Sequence, residues 1–218
     1  MRERRLFASA VAVAAMVMAA CAPTASTSGP GSDPALPAAC VQTPPPTVAV
    51  VDFENTTAQF GTTVVGVEDA ASARLITLLK ESGCYVVVER SELITIMQAQ
   101  GLESMDPVSL ARAAGAGYVI TGTVTRATIA EPGASLFGIS LGETRAHVEV
   151  DVRATDIITG EVVVSMTGAG TASSPNIAVS RIPQLGTIRY DDPTVGPLLA
   201  DAAQTAVTEV VAALRSAF

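Results

Sequence analysis

The stretch Ala146–Asp156 constrains the fold more than any other part of the chain. Ala146, Val148, Val150, Val152 and Ala154 alternate with His147, Glu149, Asp151 and Arg153. A strict period of two predicts a strand with one buried and one wet face. Thr159-Gly160 is a turn signal, and Val162-Val163-Val164 opens a second strand, so the pair reads as a hairpin. A glycine-rich stretch, Glu131–Gly142, precedes it. Two readings of that stretch stay open: a soluble loop, or the tip of a hairpin that enters a membrane.

Around this hairpin the periodicities describe one α/β domain of mixed sheet and flanking helices, α+β-like in its hairpin extensions. Thr47–Phe53 and Cys84–Val88 are nearly continuous apolar runs, expected of strands covered on both faces. Between them Glu68–Glu81 carries Ala71, Leu75, Leu78 and Leu79 at helical spacing and stops at Gly83. Ser91 reads as the N-cap of a helix Glu92–Gln100, and Asp106-Pro107 starts a further short helix ending near Gly115. Tyr118–Val124 is a third strand, and Glu161–Ser165 is the return arm of the hairpin. Glu54–Gly66 and Gly168–Asp192 carry weak patterns. Pro193–Leu214 is strongly amphipathic, with Leu198, Leu199, Ala202, Ala206, Val210 and Leu214 on its apolar face.

The N-terminus carries targeting information. Arg2, Arg4 and Arg5 precede a short apolar run, Leu6–Met18, and Met18-Ala19-Ala20-Cys21 resembles a bacterial lipobox. The resemblance implies that residues 1–20 are a signal peptide and that Cys21 is lipidated. More than one acyl chain makes anchoring stable. Ala22 in place of Asp favours the outer membrane, on its periplasmic face. Residues 21–46, rich in Pro, Ser, Thr, Ala and Gly, read as a flexible tether to a domain spanning 47–218. The full chain has a formal charge of −8; without residues 1–20 it keeps 10 basic and 20 acidic side chains. An excess of acid of this size speaks against nucleic acid as a partner.

Cys40 and Cys84 remain, an even pair in an oxidising compartment, and are candidates for a disulfide. Cys40 stands just before one predicted strand and Cys84 begins another, so if those strands are neighbours the two thiols meet at one sheet edge. One His and no third ligand argue against a metal, and no cofactor is expected. Gly138-Ile139-Ser140-Leu141-Gly142 matches a nucleophile elbow, but a strand rather than a helix follows it. His147 lies on that strand's polar face. Asp52, Glu54, Glu89 and Arg90 sit at strand ends, where open α/β sheets bind ligands and where solvent-facing ion pairs also form. Catalytic residues are not expected, and the chain does not read as an enzyme.

Several segments in order resemble the CsgG family, the curli production assembly/transport component. They are Val48–Phe53, Gln59-Phe60, Ala71–Ser82, Val87-Val88-Glu89-Arg90, Tyr118–Val124, Val150–Arg153 with Thr159-Gly160-Glu161, Gly186–Tyr190 and the terminal helix. The resemblance implies an outer-membrane lipoprotein with a periplasmic α/β domain. It implies a channel or anchor subunit, in a homo-oligomeric ring, for export or attachment of extracellular fibre or adhesin subunits. Residues 122–147 and 165–190 would occupy the positions of two membrane hairpins, and Gly61–Val67 that of the pore constriction. Gly61–Val67 lacks the Tyr, Asn and Phe of the curli channel, so no constriction residue carries over. Barrel strands need roughly 9–11 residues each, with interfacial aromatics. The first candidate has only Phe137, and the second contains Pro175 and Pro183. A non-pore periplasmic lipoprotein that binds or activates an envelope partner, such as a cell-wall synthase, is the alternative.

Overall fold

A computed structural model describes residues 40–57, 62–101, 105–130, 135–136, 139–140, 143–175 and 186–217. In chain order the elements are β1 (Thr47–Val50), β2 (Glu54–Asn55), β3 (Thr62–Val65), α1 (Val67–Ser82), β4 (Val86–Val88) and α2 (Arg90–Ala99). Then follow α3 (Pro107–Ala113), β5 (Tyr118–Ala130), β6 (Ser135–Leu136) and β7 (Ile139–Ser140). The chain continues with β8 (Thr144–Asp156), β9 (Val162–Ser174), β10 (Gly186–Arg189) and α4 (Gly196–Ala217). The main sheet runs β4-β1-β5-β8-β9, with β2 also paired to β5. β4, β1, β2 and β5 are parallel, while β5, β8 and β9 form an antiparallel meander. The fold is a mixed α/β domain with helices flanking a mixed sheet. No helix among the described residues is long and apolar enough to cross a membrane.

Alternation along the strands divides the core between the two faces. Val48, Val50 and Ile120 join the larger cluster with Leu75, Leu79, Leu199 and Leu214, under α1 and α4. Ala49 and Val119 point the other way, to Leu93, Leu110 and Ala111 of α2 and α3. β8 carries the expected pattern in full: Ala146, Val148, Val150, Val152 and Ala154 are all buried in the larger cluster. Opposite them on β9 lie Gly170 and Gly168, paired with Val148 and Val150. A Cβ on Gly168 would stand 2.2 Å from the Ala206 carbonyl oxygen, and one on Gly170 1.8 Å from that of Ala202. The helix backbone of α4 therefore rests directly on β9, and only glycine leaves it room. That is the purpose of the Gly168-Ala169-Gly170 run, whose sequence pattern is weak.

Several boundaries differ from the sequence reading. β5 continues six residues past Val124, through a register shift between Val124 and Arg126, and β9 continues to Ser174. α2 begins at Arg90, not after Ser91, because Glu89 is the extended cap residue and its carbonyl accepts from Glu92 and Leu93. The side chain of Glu89 makes no cap bond. Asp106 does cap α3, accepting the Ser109 N–H at 2.9 Å. β3 and β10 emerge from the two weak segments and pair with each other in parallel. The strand after residue 185 thus pairs with β3, not alongside β9.

Candidate functional site

Cys21 lies outside the described residues, as do Gly61 and most of Glu131–Gly142. Cys40 and Cys84 are joined as a disulfide, with Cα atoms 5.2 Å apart. It ties the entry to β1 to the turn that leads into β4, the neighbour of β1 in the sheet. The strand-end residues form exposed ion pairs. Arg90 Nη2 meets Asp52 Oδ2 at 2.8 Å and its Nη1 lies 3.9 Å from Asp69, while Lys80 pairs with Glu89. These contacts lock the start of α2 against β1 and α1, and among the described residues they pair both Lys80 and Arg90 at these strand ends.

Ser140 sits on β7, paired with Ser135, and the next long described element is the strand β8. A nucleophile elbow needs a helix there. His147 is committed elsewhere: its Nε2 is 2.8 Å from Glu149 Oε1, and its Nδ1 is 3.2 Å from Thr171 Oγ1. Arg126 Nη1 stands 3.6 Å from the same Glu149 oxygen. These side chains bridge β5, β8 and β9 on the sheet face away from α4 and act as cross-strand pairs. Among the described residues no group of three or more His, Cys, Asp or Glu side chains could hold a metal.

Two arrangements escaped the sequence reading. Asn55 organises the first. Its amide nitrogen donates to the Val64 carbonyl at 2.6 Å and to Glu68 Oε2 at 2.7 Å. Its amide oxygen accepts from the Thr57 N–H and hydroxyl at 3.0 and 2.7 Å. Glu68 also accepts the Gly66 N–H at 3.1 Å. This network fixes β3 against α1. In place of a free loop there is a strand pinned on one side by Asn55 and on the other by β10.

The second arrangement is a cleft of 270 Å³ between α1 and α4, lined by Ala70, Ala73, Arg74, Thr77, Tyr190, Ala200, Ala203 and Gln204. Four alanines leave space between the helices. Arg74 brings a guanidinium whose buried Nε has no hydrogen-bond partner. Burial, with Asp201 nearby, holds the Tyr190 phenol above its ordinary pKa.

The family model for the curli production assembly/transport component CsgG matches residues 38–217. The chain belongs to the CsgG family. No curated protein matches the sequence. Among solved structures, the CsgG-family chain is similar to the hypothetical protein CT253 from Chlamydia trachomatis, at 12% identity. The likeness covers 79% of this chain and 97% of that one, with a TM-score of 0.50. Lipoprotein GNA1162 from Neisseria meningitidis is 18% identical over 62% of this chain and 89% of its own, at a TM-score of 0.46. The PelC dodecamer from Paraburkholderia phytofirmans is 19% identical over 84% of this chain and 93% of its own, at a TM-score of 0.42. At 12% identity the likeness to CT253 shows a shared fold and nothing more.

Proposed function

We propose that this CsgG-family chain is a lipid-anchored envelope protein whose α/β domain binds a protein partner and contributes no strands to a membrane-crossing barrel. One observation carries the reading: the strands that would form membrane hairpins are used up inside the domain. Ala127 and Ala146 are 2% and 0% exposed in the core, and Gly170 lies under the backbone of α4. A face covered by a helix is unavailable to lipid. Beyond the sheet only residues 131–143 connect β5 to β8, thirteen in all, and residues 175–185 connect β9 to β10, eleven in all. Two crossing strands of roughly 9–11 residues and a turn need about twenty residues or more.

In this reading residues 1–20 are removed, Cys21 carries the lipid, and no catalysis is involved. The disulfide at Cys40 shortens the free tether to residues 22–39. A second reading, a channel or anchor subunit for an exported fibre or adhesin, draws support from the family's description as an assembly and transport component.

Planar-bilayer recordings on the full-length protein, extracted in mild detergent, separate the two. Partner binding without a barrel predicts a silent bilayer at all protein concentrations. Stepwise conductance from the purified protein refutes it. Cys21→Ala is expected to release the chain from sedimented membranes, and continued sedimentation would refute lipidation.

A further inference from the structure

We propose that the end of the sheet holding the β8–β9 turn is a shallow membrane-docking surface, resting on the headgroup boundary of the bilayer that carries the lipid anchor. The inference rests on the anchoring part of the reading above and adds which side of the domain faces the bilayer. Three features carry it.

The first is where the exposed aliphatic side chains lie. β1, β4 and β5 begin at this end, β8 finishes there and β9 starts there. Backbone bonds stitch it together: Val86 N–H to the Pro46 carbonyl at 3.0 Å, Gly117 N–H to that of Thr47 at 2.9 Å, and Ile157 N–H to that of Gly117 at 3.1 Å. Of the seven large apolar side chains exposed among the described residues, Ile158, Val162, Val163, Val86 and Val41 belong to this end. Exposed apolar groups gathered on one side mark contact with a protein or a membrane.

The second is the build of the turn, and it favours the membrane. Ile158, at the tip, is 88% exposed. Asp156 Oδ1 accepts the Ile158 and Thr159 N–H groups at 2.7 and 3.0 Å. The Asp156 carbonyl accepts the Gly160 N–H at 2.9 Å, and Thr159 Oγ1 accepts the Glu161 N–H at 3.2 Å. Every backbone donor from 158 to 161 is therefore bonded inside the turn. An unpaired donor is costly in lipid, and this tip brings none, so its apolar side chain can leave water first. The same closure leaves a protein partner no free N–H on the turn.

The third is where the chain arrives. Val41 follows Cys40, whose disulfide partner Cys84 stands just ahead of β4. The anchored chain thus enters the domain on the side that carries the aliphatic cluster. An anchor makes docking intramolecular, and contact by a few side chains then suffices. The exposed Glu161 and an overall charge of −8 select zwitterionic over anionic headgroups.

The chain has no tryptophan, so a single one reports its own surroundings. Full-length lipidated protein is reconstituted on phosphatidylcholine vesicles. Floated vesicles are read with and without phosphatidylcholine spin-labelled near the top of its acyl chain. Val162→Trp is expected to lose emission roughly twofold to the label, as for a tip sunk roughly 5–10 Å into the headgroup boundary. Ala130→Trp, at the far end of β5, should keep its emission. Ile158→Asp changes an exposed residue outside the core, and it should abolish the loss at Val162→Trp while the protein still floats. Equal quenching at both reporters, quenching at Ala130→Trp alone, or quenching that survives Ile158→Asp overturns the proposal. So does a blue shift without quenching, the mark of contact between protein copies. Floated but unquenched Val162→Trp overturns this inference and leaves the anchor standing, whereas protein that does not float overturns both.

Discussion

Gly170→Ala tests the packing on which the non-pore reading depends. In most strands this exchange is mildly stabilising, by about 0.4–1 kcal/mol, because alanine restricts the unfolded chain. Here the new Cβ would sit 1.8 Å from the Ala202 carbonyl oxygen and 2.7 Å from the Ala206 nitrogen. Both are backbone atoms of a helix, so no rotamer change relieves the contact. The first distance falls 1.2 Å inside the 3.0 Å limit below which real Cβ contacts essentially do not occur. α4 must move outward, which loosens the fully buried Ala202, Ala206 and Val210 together. Overpacking of this kind typically costs about 1–3 kcal/mol, and a backbone-to-backbone clash belongs at the upper end. Subtracting the unfolded-state gain from about 3 kcal/mol leaves a net loss of about 2–2.6 kcal/mol. For a domain of this size that is a fall in Tm of roughly 4–10 °C. Urea unfolding followed by circular dichroism would read it, with Gly168→Ala as a second site on the same interface. A Gly170→Ala protein as stable as the parent would mean that α4 does not lie on β9, and the covered-face reasoning would fail with it.

Three further outcomes are expected. Cys84→Ser opens a link spanning a sequence separation of 44, and loop-closure entropy sets the loss at about 4 kcal/mol; equal urea midpoints with and without reductant in the parent would contradict the linkage. Asn55→Ala removes donors to Val64 and Glu68 and the acceptor for Thr57, which is 1% exposed. The expected loss is about 2–3 kcal/mol, with faster amide exchange at β3; unchanged exchange there would show that β10 alone holds the strand. Burial pushes the Tyr85 phenol up to about 12, against a smaller opposing pull from Arg215. An acid whose folded pKa is raised keeps its proton longer when folded, so its stabilising effect is complete below about pH 10 and fades as pH rises toward 12. Alkaline absorbance titration should resolve a tyrosine ionising near 12 that is lost in Tyr85→Phe, while the raised Tyr190 remains in both proteins; a titration unaltered by that exchange would refute it.

Much of the fold was legible because its residues declare their surroundings one at a time. β8 alternates aliphatic and polar side chains, and burial follows that alternation residue by residue. α1 ends where Gly83 takes φ 67, a conformation its lack of a Cβ permits. Asp106 sits where an oxygen can accept a freed helix N–H. The extensions of β5 and β9 were less visible. Arg126–Ala130 carries a charge and two small residues, and the register shift at Thr125 breaks its alternation. Gly168 and Gly170 carry no side chain from which burial could be inferred.

What the sequence determined by itself is local: which segments alternate and where helices stop. The tertiary structure decided everything that depends on two distant segments meeting. A glycine is buried because helix residues more than thirty positions later, Ala202 and Ala206, lie across it. β3 is a strand because β10 comes alongside it. Arg74 and Gln204 each stand on an amphipathic helix where polar residues ordinarily face water. Only the approach of α1 to α4 removes that water and leaves a guanidinium nitrogen without a partner. The physical reason is common to all three. Periodicity reports whether a side chain has a buried side, but contact between backbones and loss of solvent are properties of the assembled fold.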